Sequence, residues 1–324
     1  MKHSLSITLR IVMLFILAQL IGLFILSYYV PFGSGAGAIN EDVYFFEPPQ
    51  VENESLSFLV IIIPFIIGTI FMLLIIKFNL QIIWKIWYFL GISFALLISL
   101  YPFIPFSLFV VYMVALLLTY IKQKFYMLHN PIELLLYAGI AAIFVPILNI
   151  FSIYVLLILI ALYDAYAVWK SKHMVALATF QTNSNLFAGF QIKKKTGSIG
   201  KRKGTSLHHA SSISKEHMKK LKNDSFMSYK RNHSVEENKE SSSVSQSNAI
   251  LGGGDILFPL LFVGTLMKYT ANLYLGLAII LSAAFALFLL LVYAKKHRFY
   301  PAMPFIGAGL VIPHGLYMVL QMAL

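Results

Sequence analysis

Two aspartates stand out in this sequence because apolar residues surround both of them. Asp164 lies in "ALYDAYAVW", and Asp255 follows three consecutive glycines in "LGGGDILFP". Two carboxyl groups that meet in a dry site cannot both ionise at low cost, so one keeps its proton. The ionised group can then take a proton from water as that water attacks a peptide carbonyl, while the protonated group hydrogen-bonds to the carbonyl oxygen. Such a pair could hydrolyse a peptide bond, and we expect no metal or cofactor.

The composition is typical of a membrane protein. Of the 324 residues, 59% are hydrophobic and only 12% are charged, whereas soluble domains contain roughly 25% charged residues. The apolar residues come in blocks of about 20, the length of a helix that crosses a hydrocarbon layer of ~30 Å. Cysteine is absent, which excludes thiol nucleophiles and disulfides. Since backbone amides in lipid must be satisfied within the segment, we predict an all-α polytopic membrane protein.

Hydropathy predicts nine transmembrane helices. The predicted spans are residues 7–30, 56–76, 82–100, 105–121, 132–148, 150–169, 251–270, 273–294 and 302–323. We therefore predict three regions. Residues 1–170 form a six-helix bundle with Asp164, residues 171–249 form a basic, largely disordered cytoplasmic loop, and residues 250–324 form a three-helix bundle with Asp255.

The basic residues predict the orientation of the chain. Lys and Arg cluster at the N-terminus and in the even-numbered connections, whereas the first connection carries the acids Glu41, Asp42, Glu47, Glu52 and Glu54. The positive-inside rule then predicts a cytoplasmic N-terminus and an external C-terminus. Topology accounts for the net charge of +12, so no nucleic-acid partner is expected. Lys268 lies near a predicted span end, where its side chain is expected to reach the membrane interface.

Apart from the first external loop and the long linker, three acidic residues remain: Glu133, Asp164 and Asp255. We predict that Glu133 begins the fifth helix, where the helix N-terminus favours negative charge. A carboxylate inside a span costs a few kcal/mol and therefore indicates function. Asp164 lies ~8 Å before the cytoplasmic end of its span and Asp255 ~6 Å after the cytoplasmic start of the next. Their matching depth predicts that the two carboxyl groups meet.

Two further elements share this depth. Gly252, Gly253 and Gly254 are expected to adopt backbone conformations closed to other residues and to allow close approach of neighbouring backbone. The extended edge in "AILGG" could pair with an unwound substrate strand. At the start of the last span, Pro301 and Pro304 deny amides to the helix, which predicts an irregular backbone surrounded by protein.

Together these elements resemble the presenilin and signal peptide peptidase family of intramembrane aspartyl proteases. The family pattern is Tyr-Asp in the sixth span, Gly-x-Gly-Asp in the seventh and Pro-Ala-Leu in the ninth. The sequence supplies Tyr163-Asp164, Gly252-Gly253-Gly254-Asp255 and Pro301-Ala302-Met303. Met303 replaces a leucine of similar volume, and Gly253 stands where a larger apolar residue is common.

The resemblance implies a presenilin-like fold of nine helices, with Asp164 and Asp255 as the catalytic pair. It implies that the active site is supported by Tyr163, Gly252, Gly253, Gly254, Pro301, Ala302 and Met303. It also implies substrate contact through the strand of Ile250, Leu251 and Gly252. The expected partners are transmembrane proteins or peptides and the lipid bilayer. No obligatory partner subunit is expected, and the sequence leaves homo-oligomer formation open, as it does whether "VALATFQTNSNLFAGFQI" is cleaved or acts as a plug.

Two other functions are compatible with buried acids. A proton-coupled transporter could use Asp164 and Asp255 as a relay, since intramembrane carboxylates also mark ion pathways. That function predicts inverted repeats and broken helices near the midplane, whereas both aspartates lie towards one face and no repeat relates the halves of the sequence. A non-catalytic scaffold is the third alternative. Prepilin-type peptidases also carry Gly-x-Gly-Asp but lack the Pro-Ala-x element.

Overall fold

The computed structural model describes residues 5–35, 39–40, 43, 56–78, 80–104, 107–171, 189–192, 249–294 and 300–323. Nine α-helices lie within these residues: α1 Leu5–Tyr29, α2 Leu59–Lys77, α3 Gln81–Leu100, α4 Leu108–Lys124, α5 Tyr126–Phe144, α6 Ile150–Tyr166, α7 Gly254–Thr270, α8 Leu273–Tyr293 and α9 Met303–Ala323. A 3-10 turn, Tyr101–Phe103, follows α3, and a π-helical turn, Ala167–Ser171, follows α6. The described residues also contain one two-stranded sheet, formed by β1 Gly189–Ile192 and β2 Ala249–Gly252.

Six of the described helical segments are long and apolar enough to cross a membrane. They are Leu5–Tyr29, Gln81–Phe103, Met127–Phe144, Ile150–Trp169, Leu273–Tyr293 and Met303–Ala323. The prediction of a helical, multi-pass membrane protein is thereby confirmed. Helices α2, α4 and α7 are not among the six, although the apolar part of α2, Leu59–Ile75, is only slightly shorter.

The predicted linker, residues 171–249, lies almost entirely outside the described residues; only its two ends and β1 are described. All nine described helices and the strand pair belong to one compact unit, within residues 1–192 and 249–324.

Helix α5 begins earlier than the sequence predicts. The predicted span started at residue 132, after "YMLHNP", but the helix starts at Tyr126 and contains Pro131. Pro131 is the sixth residue of the helix and has no N–H for the carbonyl of Met127, so the helix lacks one of its own hydrogen bonds there. The extra turns bring His129 and Asn130 into the helix, and tertiary hydrogen bonds to β1 compensate these polar groups.

Small residues allow α1, α5 and α7 to pack closely. Gly22 of α1 lies against Leu260 of α7, and Gly264 of α7 lies against Leu26 of α1, so that a Cβ at either glycine would overlap its neighbour. Gly139 of α5 lies against a backbone carbonyl of α3 with no room for a side chain. Glycine at such crossings lets backbones approach closely. Helix α7 packs against α1, α5, α6, α8 and α9.

Lys268 is buried within the protein, so the prediction that its side chain extends outward is wrong. Its side chain is buried in the last turn of α7, and Nζ donates to the carbonyl oxygens of Val145 (3.3 Å), Pro146 (3.0 Å) and Leu148 (2.6 Å). The last carbonyls of a helix lack intrahelical donors, so a cation there is favourable. Lys268 thus joins the end of α7 to the turn between α5 and α6.

The prediction that Glu133 begins the fifth helix is wrong. Glu133 lies seven residues after Tyr126, the first residue of α5. It is fully buried, and Oε1 lies 2.7 Å from Nζ of Lys122 on α4. Lys122 also donates to the hydroxyl of Tyr88 on α3 at 2.7 Å. A buried charge needs a partner of opposite sign. The Glu133–Lys122 pair, together with the hydroxyl of Tyr88, links α3, α4 and α5.

Candidate active site

Asp164 lies near the C-terminal end of α6 and is buried. Its Oδ2 accepts a hydrogen bond of 3.0 Å from the backbone amide of Met303, and the amide of Ala302 also faces the carboxyl group. Met303 is the first residue of α9, where amides have no intrahelical partner. Asp164 therefore acts as a side-chain cap from another helix and fixes the start of α9 against the end of α6.

The Pro301–Met303 segment presents these amides because of its two prolines. Pro301 is buried and lies just before α9, and Pro304 is the second residue of that helix. Neither proline has an N–H, so the donors available at this point are the amides of Ala302 and Met303. The irregular backbone that the sequence predicted here is present from Tyr300 to Ala302.

Asp255 is the second residue of α7 and is partly buried. A helix N-terminus favours a negative charge at this position. Its carboxyl group faces the backbone amide of Gly252 and lies close enough to Asp164 for their charges to interact. Helices α6, α7 and α9 all pack against one another. The structure therefore brings together the carboxyl groups of Asp164 and Asp255 and the Pro301–Met303 segment.

The three glycines before Asp255 differ from the prediction in their conformation. None of them has a positive φ; among the described residues the glycines with positive φ are Gly33, Gly35 and Gly189. The predicted need for close approach applies to Gly253, where a Cβ would lie 2.7 Å from Oη of Tyr137 on α5. At Gly252 a Cβ would lie 3.4 Å from Oδ2 of Asp255, so a side chain there would touch the carboxyl group.

The strand that leads into these glycines is β2, which contains Ile250, Leu251 and Gly252. It pairs antiparallel with β1, with Phe190 opposite Leu251 and Gly189 opposite Gly252. The sequence predicted an extended segment at β2 but no partner strand within the chain. The sequence signal for β1 is weak, because the strand is only four residues long, "GFQI", and lies at the end of an apolar stretch.

Tyr163 does not contribute a hydrogen bond to this group of residues. Its side chain is 38% exposed, and its ring packs edge-to-face on Phe65 of α2 with centroids 5.4 Å apart. The contact places α2 beside the end of α6 that carries Asp164.

Sequence reasoning missed Gln19, a buried residue in the middle of α1. Its Nε2 donates to the carbonyl oxygen of Ile256, the residue after Asp255, at 3.0 Å. The bond crosses 237 positions of the chain, so no local pattern could reveal it. Pro259 lies in the first turns of α7 and has no N–H to offer the carbonyl four residues earlier, that of Asp255. Gln19 therefore bonds to α7 one residue after the carbonyl that Pro259 leaves without its helical donor.

Comparison with solved structures supports the same fold. A presenilin family intramembrane aspartate protease in the P2 space group matches with a TM-score of 0.56 and 15% identity, covering 96% of this chain and 97% of that one. A presenilin family intramembrane aspartate protease in the C222 space group matches with a TM-score of 0.54 and 15% identity, covering 94% of each chain. Among curated proteins no sequence matches the chain.

The sequence itself matches a family model, described as signal-peptide peptidase, presenilin aspartyl protease, over residues 12–323. This match covers α2 to α9 and all but the first seven residues of α1, and it confirms the resemblance to this family. The chain belongs to the signal-peptide peptidase and presenilin aspartyl protease family.

Proposed function

We propose that this protein is an intramembrane aspartyl protease of the Gly-x-Gly-Asp type, which hydrolyses peptide bonds of transmembrane helices with Asp164 and Asp255. The observation that supports this most strongly is the convergence of the two carboxyl groups with the backbone amides that begin α9. Two carboxyl groups in electrostatic contact at the ends of apolar helices are costly for stability. Function is the simplest reason to keep both.

In the proposed reaction the two carboxyl groups share one proton. The ionised group removes a proton from a water molecule as the water oxygen bonds to the scissile carbonyl carbon. The protonated group donates to the carbonyl oxygen, and the bond to nitrogen breaks as that nitrogen receives a proton. One water molecule is consumed, and a carboxyl and an amino terminus are formed. The amides of Ala302 and Met303 keep Asp164 in place throughout.

The substrate must be extended at the point of cleavage, because a helix occupies each carbonyl with its own hydrogen bonds. Strand β2 ends at Gly252, whose amide faces the carboxyl group of Asp255. We propose that an unwound substrate segment adds beside β2, which would bring its backbone to the two aspartates.

We further propose that all nine helices cross the membrane, with the N-terminus cytoplasmic and the C-terminus external. An odd number of spans puts the termini on opposite sides, in agreement with the distribution of Lys and Arg. The proposed substrates are single-span proteins or peptides with an external N-terminus, and no partner subunit is required for cleavage.

Reconstitution in liposomes with a synthetic single-span substrate tests the proposal. Asp164→Asn and Asp255→Asn should each abolish cleavage, because neither amide can serve as the base or the acid. Asp164→Asn keeps an oxygen that can accept from Met303, so loss of the cap does not explain the loss of activity. Asp42→Asn, in the connection after α1, is the matched control and should cleave normally.

The same vesicles separate the two main alternatives. Undiminished cleavage by either aspartate variant would refute the catalytic pair. Proton uptake that depends on Asp164 and Asp255, measured with an entrapped pH dye in vesicles that show no cleavage, would instead support the proton relay.

A further inference from the structure

Three of the backbone groups on the outer edge of β1 bond to two consecutive residues of α5. The side-chain amide of Asn130 donates to the carbonyl of Gln191 at 2.9 Å, and its Oδ1 accepts from the amide of Gln191 at 3.0 Å. Nε2 of the buried His129 lies 2.9 Å from the carbonyl oxygen of Gly189 and donates to it. No part of the motif pattern involves these two residues.

The alternation of an antiparallel pair shows which edge is involved. In a strand, the amide and carbonyl of one residue point to the same side, and those of the next residue point to the other. Since both groups of Gln191 bond to Asn130, they point away from β2. Phe190 and Ile192 then pair with Leu251 and Ala249 of β2.

An asparagine side chain can replace a strand at this edge because its amide offers an N–H donor and a carbonyl acceptor, as one residue of a strand does. Asn130 thus makes the two bonds that a neighbouring strand would make with Gln191. An uncovered strand edge is a template for any extended segment. Covering it removes one of the two edges on which a substrate could add.

We propose that Asn130, with His129, is a positioning residue for substrate binding: it holds β1 on α5 by its outer edge and directs an added substrate strand to β2. This inference rests on the proposed function. Strand β2 leads into Gly252, whose amide faces Asp255, whereas a strand added on β1 would lie one strand further from both aspartates, at about 4.8 Å per strand. The covered edge therefore favours productive over unproductive binding.

The test compares steady-state constants for a single-span peptide substrate. Asn130→Ala should raise KM about tenfold and change kcat less than twofold, because two hydrogen bonds that position the strand pair are lost while the carboxyl groups are not touched. The matched control is Asn272→Ala, which removes the N-cap of α8 and should lower the melting temperature without changing KM. Unchanged KM in Asn130→Ala, or a loss confined to kcat, would overturn the inference.

A second variant reaches the same contact from the other strand. Gln191→Pro removes the N–H that Asn130 accepts, and the pairing described above shows that this N–H is not part of the ladder to β2. Gln191→Pro should raise KM as Asn130→Ala does. The double variant should have the same KM as the single variants, because all three variants lose the same contact between Asn130 and Gln191. Gln191→Ala, which keeps the amide, is its control. Additive effects on KM would contradict a shared role.

The two proposals fail in different ways. A wild-type protein that does not cleave, or an Asp164→Asn variant that does, defeats the proposed function. A wild-type protein that cleaves, together with an Asn130→Ala variant of normal KM, defeats only the inference about α5.

Discussion

Replacing Gly253 with alanine examines the contact between the segment before α7 and helix α5. The backbone of Gly253 has φ −63° and ψ −33°, a conformation that alanine adopts freely, so any cost comes from space. An ideal Cβ would lie 2.7 Å from Oη and 3.2 Å from Cε1 of Tyr137. The first distance is about 0.7 Å below the 3.4 Å at which ordinary contact begins. Tyr137 is 3% exposed and packed within the core, so a shift of its ring would disturb its neighbours.

The size of the effect follows from two opposing terms. Inserting a methyl group into a packed site lowers the free energy of unfolding by about 1–3 kcal/mol. Replacing glycine with alanine raises it by about 0.4–1 kcal/mol, because alanine restricts the unfolded chain. We therefore expect Gly253→Ala to lower the free energy of unfolding in detergent micelles by about 1–2 kcal/mol. Gly254→Ala is the comparison, because its Cβ would lie 3.6 Å from the ring of Phe258 and has room.

We therefore expect Gly253→Ala to destabilise the protein more than Gly254→Ala. The motif Gly-x-Gly-Asp alone suggests the opposite, since it treats the position of Gly253 as variable. Tyr137→Phe removes the clashing hydroxyl, so the double variant Gly253→Ala/Tyr137→Phe should be at least about 1 kcal/mol more stable than the sum of the single effects. Equal unfolding free energies for the two alanine variants, or strictly additive losses in the double variant, would show that the steric reasoning is wrong.

Two further substitutions probe the anchors of α7. Lys268→Met removes three charge-assisted hydrogen bonds to the end of α5. It should lower the free energy of unfolding, measured by chemical denaturation, by about 3 kcal/mol. A loss of less than about 1 kcal/mol, roughly one net hydrogen bond, would contradict the role of Lys268 as an anchor. Gln19→Leu removes the donor to Ile256 and should slow cleavage about fivefold, since ~1 kcal/mol of positioning is lost next to Asp255. Cleavage at the wild-type rate with a lowered melting temperature would assign Gln19 to stability alone.

Most of the helical framework could be predicted from the sequence. Helices α1, α8 and α9 begin and end within two residues of the predicted spans, because long apolar blocks bounded by polar residues have one stable form in lipid. Asp164 and Asp255 could be singled out for the same reason, since a carboxyl group inside such a block is rare and expensive.

The errors fall where tertiary contacts change the cost of a polar group. Residues 126–131 looked like a loop but belong to α5, where His129 and Asn130 bond to β1. Lys268 looked like an interfacial residue but is buried on three carbonyl groups. In each case the partner lies more than 50 residues away, beyond the reach of hydropathy or helix signals.

The sequence by itself determined the membrane-spanning character of the chain, the family and the two aspartates that we propose as the catalytic pair, because each follows from local composition and short motifs. Only the tertiary structure decided what holds those aspartates. Met303 bonds to Asp164 across 139 positions, Gln19 bonds to the residue after Asp255 across 237, and Tyr137 fills the space beside Gly253. The physical reason is that a hydrogen bond or a close contact depends on distance in space, and packing sets that distance independently of separation along the chain.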